Sequence, residues 1–387
     1  MSSEGGYRLG LLVALGEEFR YVQDTVGPMS SFVDQGRQMY RFTFPGSRTR
    51  GLALPLHAMG PVAAALGADL LVRSYGVSVV ALVGTAGGLD PDLRLGDVVI
   101  AAEVDSYLYR AKAVPTPDGT SFALRTAGTS WRLRGQLAAF VNNFPFGEWS
   151  GPTYRRWRAD RVADHPDGAA DPPKALVGPV ASGDLVGAAE QFTAWLRGRN
   201  RAFTALECEA AGAAAAVDWH EGVDLLVLRG VSDHADPGKA ALDAQSDGSG
   251  APNVWRRYAT TNAVMLLGCL VSDPDFPWST LPTRAPSADA GVSGTGLSPA
   301  EAAAIGISLL ALGVAVNGSP APDPTTTPTP PGPDVGPTHP GPDGGGEDWR
   351  HGTRRSPPRH RLGDRGGPDQ EGPDDTDDPD VDDGDAS

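Results

Sequence analysis

An α/β fold, a sheet with helices on both faces, is predicted by three observations. Short apolar runs bounded by Gly or Pro recur through the first two thirds of the chain. Stretches of helical character lie between and after them, and strands that alternate with helices build sheets covered on both faces. Several runs end in Gly, hydroxyl or carboxylate residues, which is where such sheets carry their ligands.

In chain order the strand-like runs are LGLLVAL (9–15), LALPLHA (52–58), VVALVG (79–84), GDVVIAAEV (96–104) and VDLLVLRGVSD (223–233). The last is continuously apolar through its middle, as a central strand covered on both faces should be. Helices are predicted over 61–75, 187–199 and 251–272. Between 109 and 179 lies a polar, poorly periodic segment with an aromatic and basic cluster, TYRRWRADR (153–161), which reads as an inserted flap. From about Pro274 the composition turns to Pro, Ser, Thr, Gly and Asp. Such a chain is too poor in apolar side chains to offset its conformational entropy, so 274–387 is expected to be mostly disordered. Within it, AAAIGISLLALGVAV (302–316) is apolar for fifteen residues, short of the roughly 20 that span a bilayer. A short docking helix at about 299–317 is the first reading and membrane contact the second. One substantial core over 1–273 is therefore expected, with the flap at about 109–179.

The net charge of -16 misleads, because ten acids and no bases lie between Asp369 and Asp385. The remainder is only mildly acidic, which argues against duplex nucleic acid as a partner. Two distant cysteines, Cys208 and Cys269, and an N-terminus without a basic start and apolar run fit a reduced, cytoplasmic protein without a Cys-based zinc site.

The stretch LECEAAGAAAA (206–216) sets Glu207 and Glu209 on either side of Cys208 at the mouth of a small, apolar run. Burying a carboxylate without a partner costs several kcal/mol. Paired acids suit a sugar, whose hydroxyls need acceptors while positive charge develops on the ring during glycosidic cleavage. Three other run ends carry GEE (16–18), GTAGG (84–88) and RGVSDHAD (229–236), and neighbouring parallel strands would bring all four to one cleft. Each has a plainer reading too: GTAGG as a tight strand-to-helix turn, GEE as acidic charge at a helix start, Asp233 as a cap of the next turn. His234, with no second His nearby, is a poor metal ligand, and Cys208 reads as a packing residue.

Taken in order, GLLVALGEE (10–18), HAMGPVAAA (57–65), VGTAGGLDPDLRLGDVVIAAEV (83–104), VASGD (180–184), ALECEA (205–210) and LRGVSDHAD (228–236) resemble the nucleoside phosphorylase superfamily. The resemblance is closest to its hydrolytic branch, the methylthioadenosine/S-adenosylhomocysteine nucleosidases. It implies a three-layer fold whose central sheet is mixed, largely parallel and twisted, and an enzyme that cleaves the N-glycosidic bond of an adenine nucleoside. It also implies a homodimer or higher assembly and needs no cofactor. By position, Glu18 takes the place of the carboxylate that activates water and Asp233 that of the acid that protonates purine N7. Thr85, with Ala86 and Gly87 on the same turn, falls beside the sugar. Glu209 falls where ribose hydroxyls are gripped, Cys208 replaces the usual Met beneath the sugar, Glu207 adjoins them, and Ser232 precedes the acid.

Two departures bear on substrate. Leu82 stands where the phosphorolytic branch has an Arg, which favours water over phosphate as nucleophile. Val186 stands where the family commonly has an aromatic against the base. Arg155, Arg156, Arg158 and Arg161 in the flap either meet an anionic 5′ group or form a solvated basic face. A purine nucleotide such as AMP or ATP, as cleaved by superfamily members in antiphage defence, is thus a rival substrate. Phosphorolysis and a non-catalytic nucleotide sensor are further alternatives.

Overall fold

The computed structural model describes residues 6–168, 171–246 and 253–279; the apolar segment 302–316 and the rest of the expected tail from 280 lie outside the described residues. The chain begins with β1 (Leu9–Val13), α1 (Gly16–Val26), β2 (Ser30–Asp34), β3 (Arg37–Thr43) and β4 (Arg50–Pro55). Then follow α2 (Pro61–Tyr75), β5 (Val79–Gly88) and β6 (Val98–Ser106). Next come β7 (Lys112–Pro115), β8 (Phe122–Arg125), β9 (Ser130–Arg132), α3 (Gly135–Asn143) and α4 (Ser150–Asp160). The last set is β10 (Ala175–Ser182), α5 (Glu190–Arg199), β11 (Ala205–Glu207), α6 (Ala210–Val217), β12 (Asp224–Asp233), α7 (Lys239–Asp243) and α8 (Val254–Ser272).

The sheet runs β11-β10-β6-β12-β5-β1-β4-β3-β2, with β9 paired to β6. Strands β4, β1, β5 and β12 are mutually parallel in that order, as are β6, β10 and β11. The two blocks meet antiparallel at β12 and β6, and β11 returns to pair antiparallel with β5. That last pairing closes five strands into a barrel-like ring, so the sheet is mixed and largely parallel. The hairpin strands β2 and β3 are additional to the runs legible in the sequence, because their half-exposed pattern is too short and polar to stand out.

Side chains alternate across a strand, and here the alternation feeds two cores. Leu11, Ala81, Val83, Leu226 and Leu228 join α1, α3, α4 and α8 on one face. Leu12, Val80, Leu82 and Val227 join α2 and α6 on the other. Pro61 opens α2 at a position where its missing N–H costs nothing, and Gly76 ends the helix in the left-handed region. The small residues of α6 allow close approach to α2: a Cβ at Gly212 would collide with the Pro61 carbonyl oxygen.

Two expected boundaries differ. The 109–179 segment is a flap only over the exposed β7–β8 hairpin; Leu137, Val141, Phe144, Tyr154 and Trp157 belong to the first core. The polar composition of the segment hid the helical spacing of these few large side chains. The core also extends past 273, because Phe276 is buried with its ring centroid 5.4 Å from that of Phe140. Trp278 packs on Phe276, and the Arg8 guanidinium lies 4.4 Å from the Trp278 ring centroid.

Candidate active site

Parallel strands with similar registers deliver their C-terminal ends to one place. In the β5–β12 pair Arg229 stands opposite Gly84 and Asp233 opposite Gly87, while β11 sets Leu206 opposite the same Gly87. The first turn of α1, immediately after β1, brings Glu18 to the neighbouring strand end.

Glu18 is buried, and its Oε1 accepts hydrogen bonds from Thr85 N at 2.9 Å and Thr85 Oγ1 at 2.8 Å. Its Oε2 has no hydrogen-bond partner among the described residues. Burial pushes the Glu18 carboxyl above its ordinary range, opposed by Arg229 and by the Thr85 bonds. Such a carboxylate keeps one oxygen without a partner among the described residues and holds a proton more readily than an exposed acid, properties that suit a general base.

Arg229, in the middle of an apolar strand, explains how several acids can be buried together. Its Nη2 donates to Glu207 Oε2 and, at 2.9 Å, to Glu209 Oε2. A Cβ at Gly84 would lie 2.5 Å from Arg229 Nη1 and 3.0 Å from Glu18 Oε2, so only a glycine leaves space for the guanidinium beside Glu18. Burial lowers the Arg229 pKa but Glu207, Glu209 and Glu18 outweigh it, and the guanidinium is held above its usual value. Burial likewise raises the Glu207 carboxyl, with Arg229 opposing.

The acids flanking Cys208 have different duties. Glu207 accepts from the backbone N–H groups of Glu209 and Ala210 at 2.9 to 3.0 Å, anchoring the start of α6. It is consumed by the protein itself, and so differs from the substrate contact expected for it. Glu209 accepts from Gly60 N at 3.0 Å with Oε1 and from Arg229 with Oε2. The half-buried Cys208 thiol is pushed up to about 12 by burial and the neighbouring acids, which fits packing and not nucleophilic attack.

At the end of β12 Asp233 is buried, and its Oδ1 accepts from Ala235 N at 2.9 Å. Its Oδ2 accepts from Ser232 Oγ at 2.9 Å and from Lys239 Nζ at 2.7 Å. Ala86 is buried, and a Cβ at Gly87 would stand 3.1 Å from Asp233 Oδ1. Val186, by contrast, is 60% exposed and the neighbouring Leu185 is exposed as well, so no described residue covers position 186. Phe192 approaches the Gly187 position, where Ala235 also packs.

The structure brings together Glu18, Thr85, Glu207, Glu209, Ser232 and Asp233, and it adds Gly60, Arg229 and Lys239. Arg229 had a signal in the sequence, since a base inside a doubly covered strand requires buried counter-charges. Lys239 had none, because only the turn after β12 folds it back on Asp233. Glu17 is directed away, bonded to Tyr21 Oη, Asn253 Nδ2 and Arg256 Nη1. Arg156, Arg158 and Arg161 are engaged elsewhere. Arg158 Nε donates to Pro173 O, Arg156 pairs with Asp160, and the buried Arg161 bonds Asn262 Oδ1 and Asp164 Oδ2.

A family model described as the phosphorylase superfamily matches residues 8–259. A 5'-methylthioadenosine/S-adenosylhomocysteine nucleosidase of Tolumonas auensis is 32% identical over 97 residues, 25% of this chain; the match spans only 41% of that relative's length. The fold is similar to that of a nucleosidase of the same description from Colwellia psychrerythraea in complex with adenine. That likeness has a TM-score of 0.51 at 20% identity and covers 69% of this chain and 96% of the other. A variant of the Helicobacter pylori protein with 5'-methylthioadenosine in its active site gives a TM-score of 0.50 at 17% identity, covering 69% and 99%.

Proposed function

The chain belongs to the phosphorylase superfamily, and from that premise we propose that it is a purine nucleosidase, hydrolysing the N-glycosidic bond of an adenine nucleoside to free base and ribosyl product. The observation that carries the reading is the pairing of two buried carboxylates at the ends of one strand segment, Glu18 beside Gly84 and Asp233 beside Gly87. The two glycines stand three positions apart along the strand, about 10 Å, comparable to the length of a water, an anomeric carbon and the imidazole half of a purine in line.

The chemistry follows from what each group can do. As the bond between C1′ and N9 opens, its electron pair moves onto the purine and positive charge develops on the ribose. Glu18, with Oε1 held by Thr85, takes a proton from the water that attacks C1′. Glu209, steadied by Gly60 and Arg229, accepts from the ribose hydroxyls, and its charge stabilises the ribosyl cation. Asp233 delivers a proton to N7, so that the base departs neutral. Cys208 packs beneath the sugar, and Ser232 orients Asp233.

Water is favoured over phosphate for two reasons. Leu82 is wholly buried where a cation would be wanted. The buried guanidinium of Arg229 is already shared among Glu18, Glu207 and Glu209, whose charges repel an anionic nucleophile. The bonds made by Arg158 and Arg161 to the protein itself support a nucleoside over a nucleotide. The test is release of free adenine from 5'-methylthioadenosine, adenosine and AMP, followed by chromatography with and without phosphate. Phosphate-independent release from the nucleosides supports the reading; ribose 1-phosphate formed only with phosphate, or release from AMP alone, refutes it.

A further inference from the structure

The purine-side acid poses a difficulty for the proposed reaction, on which this inference rests. Asp233 accepts three hydrogen bonds, from Ala235 N, Ser232 Oγ and Lys239 Nζ. Every printed partner of this carboxyl is a donor, one of them an ammonium, and the leaving purine requires a proton that one of these donors can replace. Amide and hydroxyl donors are far too weakly acidic to provide it. Among the described residues bonded to Asp233, only Lys239 brings a cationic N–H donor, at 2.7 Å.

The geometry points to Lys239 as the source of the proton that reaches the purine, acting through Asp233. As the electron pair of the C1′–N9 bond moves onto the purine, N7 becomes basic. One proton passes from Lys239 Nζ to the Asp233 carboxylate, 2.7 Å away, and is handed on from the carboxyl to N7. Asp233 is thus an anion before and after, Lys239 changes from ammonium to neutral amine, and the base leaves neutral. The amine regains its proton from solvent, which the Lys239 side chain reaches at 19% exposure.

The surroundings of Lys239 suit a residue that changes charge without losing its place. It faces Asp233 on β12 at 2.7 Å and Asp243 on its own helix at 3.5 Å. Asp243 is shared with Arg256 Nη2 at 3.2 Å, and Arg256 in turn holds Glu17 at 2.9 Å. The second acid therefore has its own counter-charge when Lys239 becomes neutral. Lys239 touches Asp233 and not the reacting atoms, so it is a positioning and proton-supplying residue.

The test compares the intact chain with Lys239→Met and Lys239→Arg on two substrates, with folding of each variant verified by circular dichroism. One substrate is 5'-methylthioadenosine; the other is 4-nitrophenyl riboside, whose phenolate departs without protonation. General-acid assistance is worth about 10²-fold or more. Both variants are expected to lose about that much kcat on the purine substrate and to stay within about threefold on the nitrophenyl one. Arginine keeps the charge but does not release a proton near neutrality. Full purine turnover in Lys239→Arg would therefore reduce Lys239 to a counter-charge and overturn the inference. Unchanged purine turnover in Lys239→Met, or equal losses on both substrates, would overturn it as well. If the unaltered chain cleaves no purine nucleoside, the hydrolase reading fails first and this inference with it; the variant outcomes sink the lysine alone.

Discussion

Replacing Arg229 with Met tests the electrostatic logic of the site most directly. The guanidinium is fully buried and is the cation to which Glu207 and Glu209 both bond, with Glu18 close by. Removing one partner of a buried ion pair costs about 3 to 5 kcal/mol, because the remaining charges are left unsatisfied. Against a total stability of about 5 to 15 kcal/mol, that is a large fraction, and the upper end of the range is expected here because two carboxylates lose one donor. The loss should depend on pH, with a definite sign. Burial already raises the Glu18 and Glu207 carboxyls above their ordinary range, and loss of Arg229, which opposes that rise, will raise them further. A carboxyl whose folded value lies above its unfolded one favours the fold at low pH, and that contribution is lost as pH climbs through the folded value. The deficit of Arg229→Met relative to the unaltered chain should therefore be greatest at pH 8 and shrink toward pH 5, as the stranded acids take up protons. Urea unfolding followed by tryptophan fluorescence over that range measures it. A deficit below about 1 kcal/mol, or one that does not vary with pH, would show that the guanidinium is not neutralising these acids.

Three further outcomes are expected. Thr85→Ala removes the 2.8 Å hydroxyl bond to Glu18; with bonds to charged groups worth about 1.5 to 3 kcal/mol, kcat should fall about 10- to 100-fold with KM little changed, and an unchanged kcat would remove Thr85 from the site. Gly84→Ala places a Cβ 2.5 Å from Arg229 Nη1, and a displaced Arg229 and Glu18 should cost about 10²-fold in turnover with the circular dichroism spectrum retained; turnover within about twofold of the original would contradict the packing. Phe276→Ala should lower unfolding free energy by about 3 to 5 kcal/mol, measured in urea, whereas an effect below about 1 kcal/mol would return the domain boundary to 273.

How much of this was legible beforehand depends on how local the signal is. The helix Pro61–Tyr75 has its limits written in its own residues, Pro at the start and Gly just past the end. The buried runs of β1, β5 and β12 are continuous enough to be seen without partners. By contrast, α4 hides two core aromatics among arginines, so composition pointed to a flap where tertiary contacts build a helix face. The 274–279 segment fails for the same reason: two aromatics in a Pro-rich context reveal nothing until Phe140 and Arg8 are found beside them.

The sequence by itself determined strands β1, β4, β5, β6 and β12, helices α2, α5 and α8, and the acidic residues at the strand ends, since period, Gly and Pro act over a few residues. Only the tertiary structure decided what those acids do. Glu207 holds a helix start, Glu209 is gripped from Gly60 and Arg229, and Asp233 is met by Lys239. A buried charge is defined by the partners that surround it, and here those partners come from segments up to 149 residues away, beyond the reach of any local pattern.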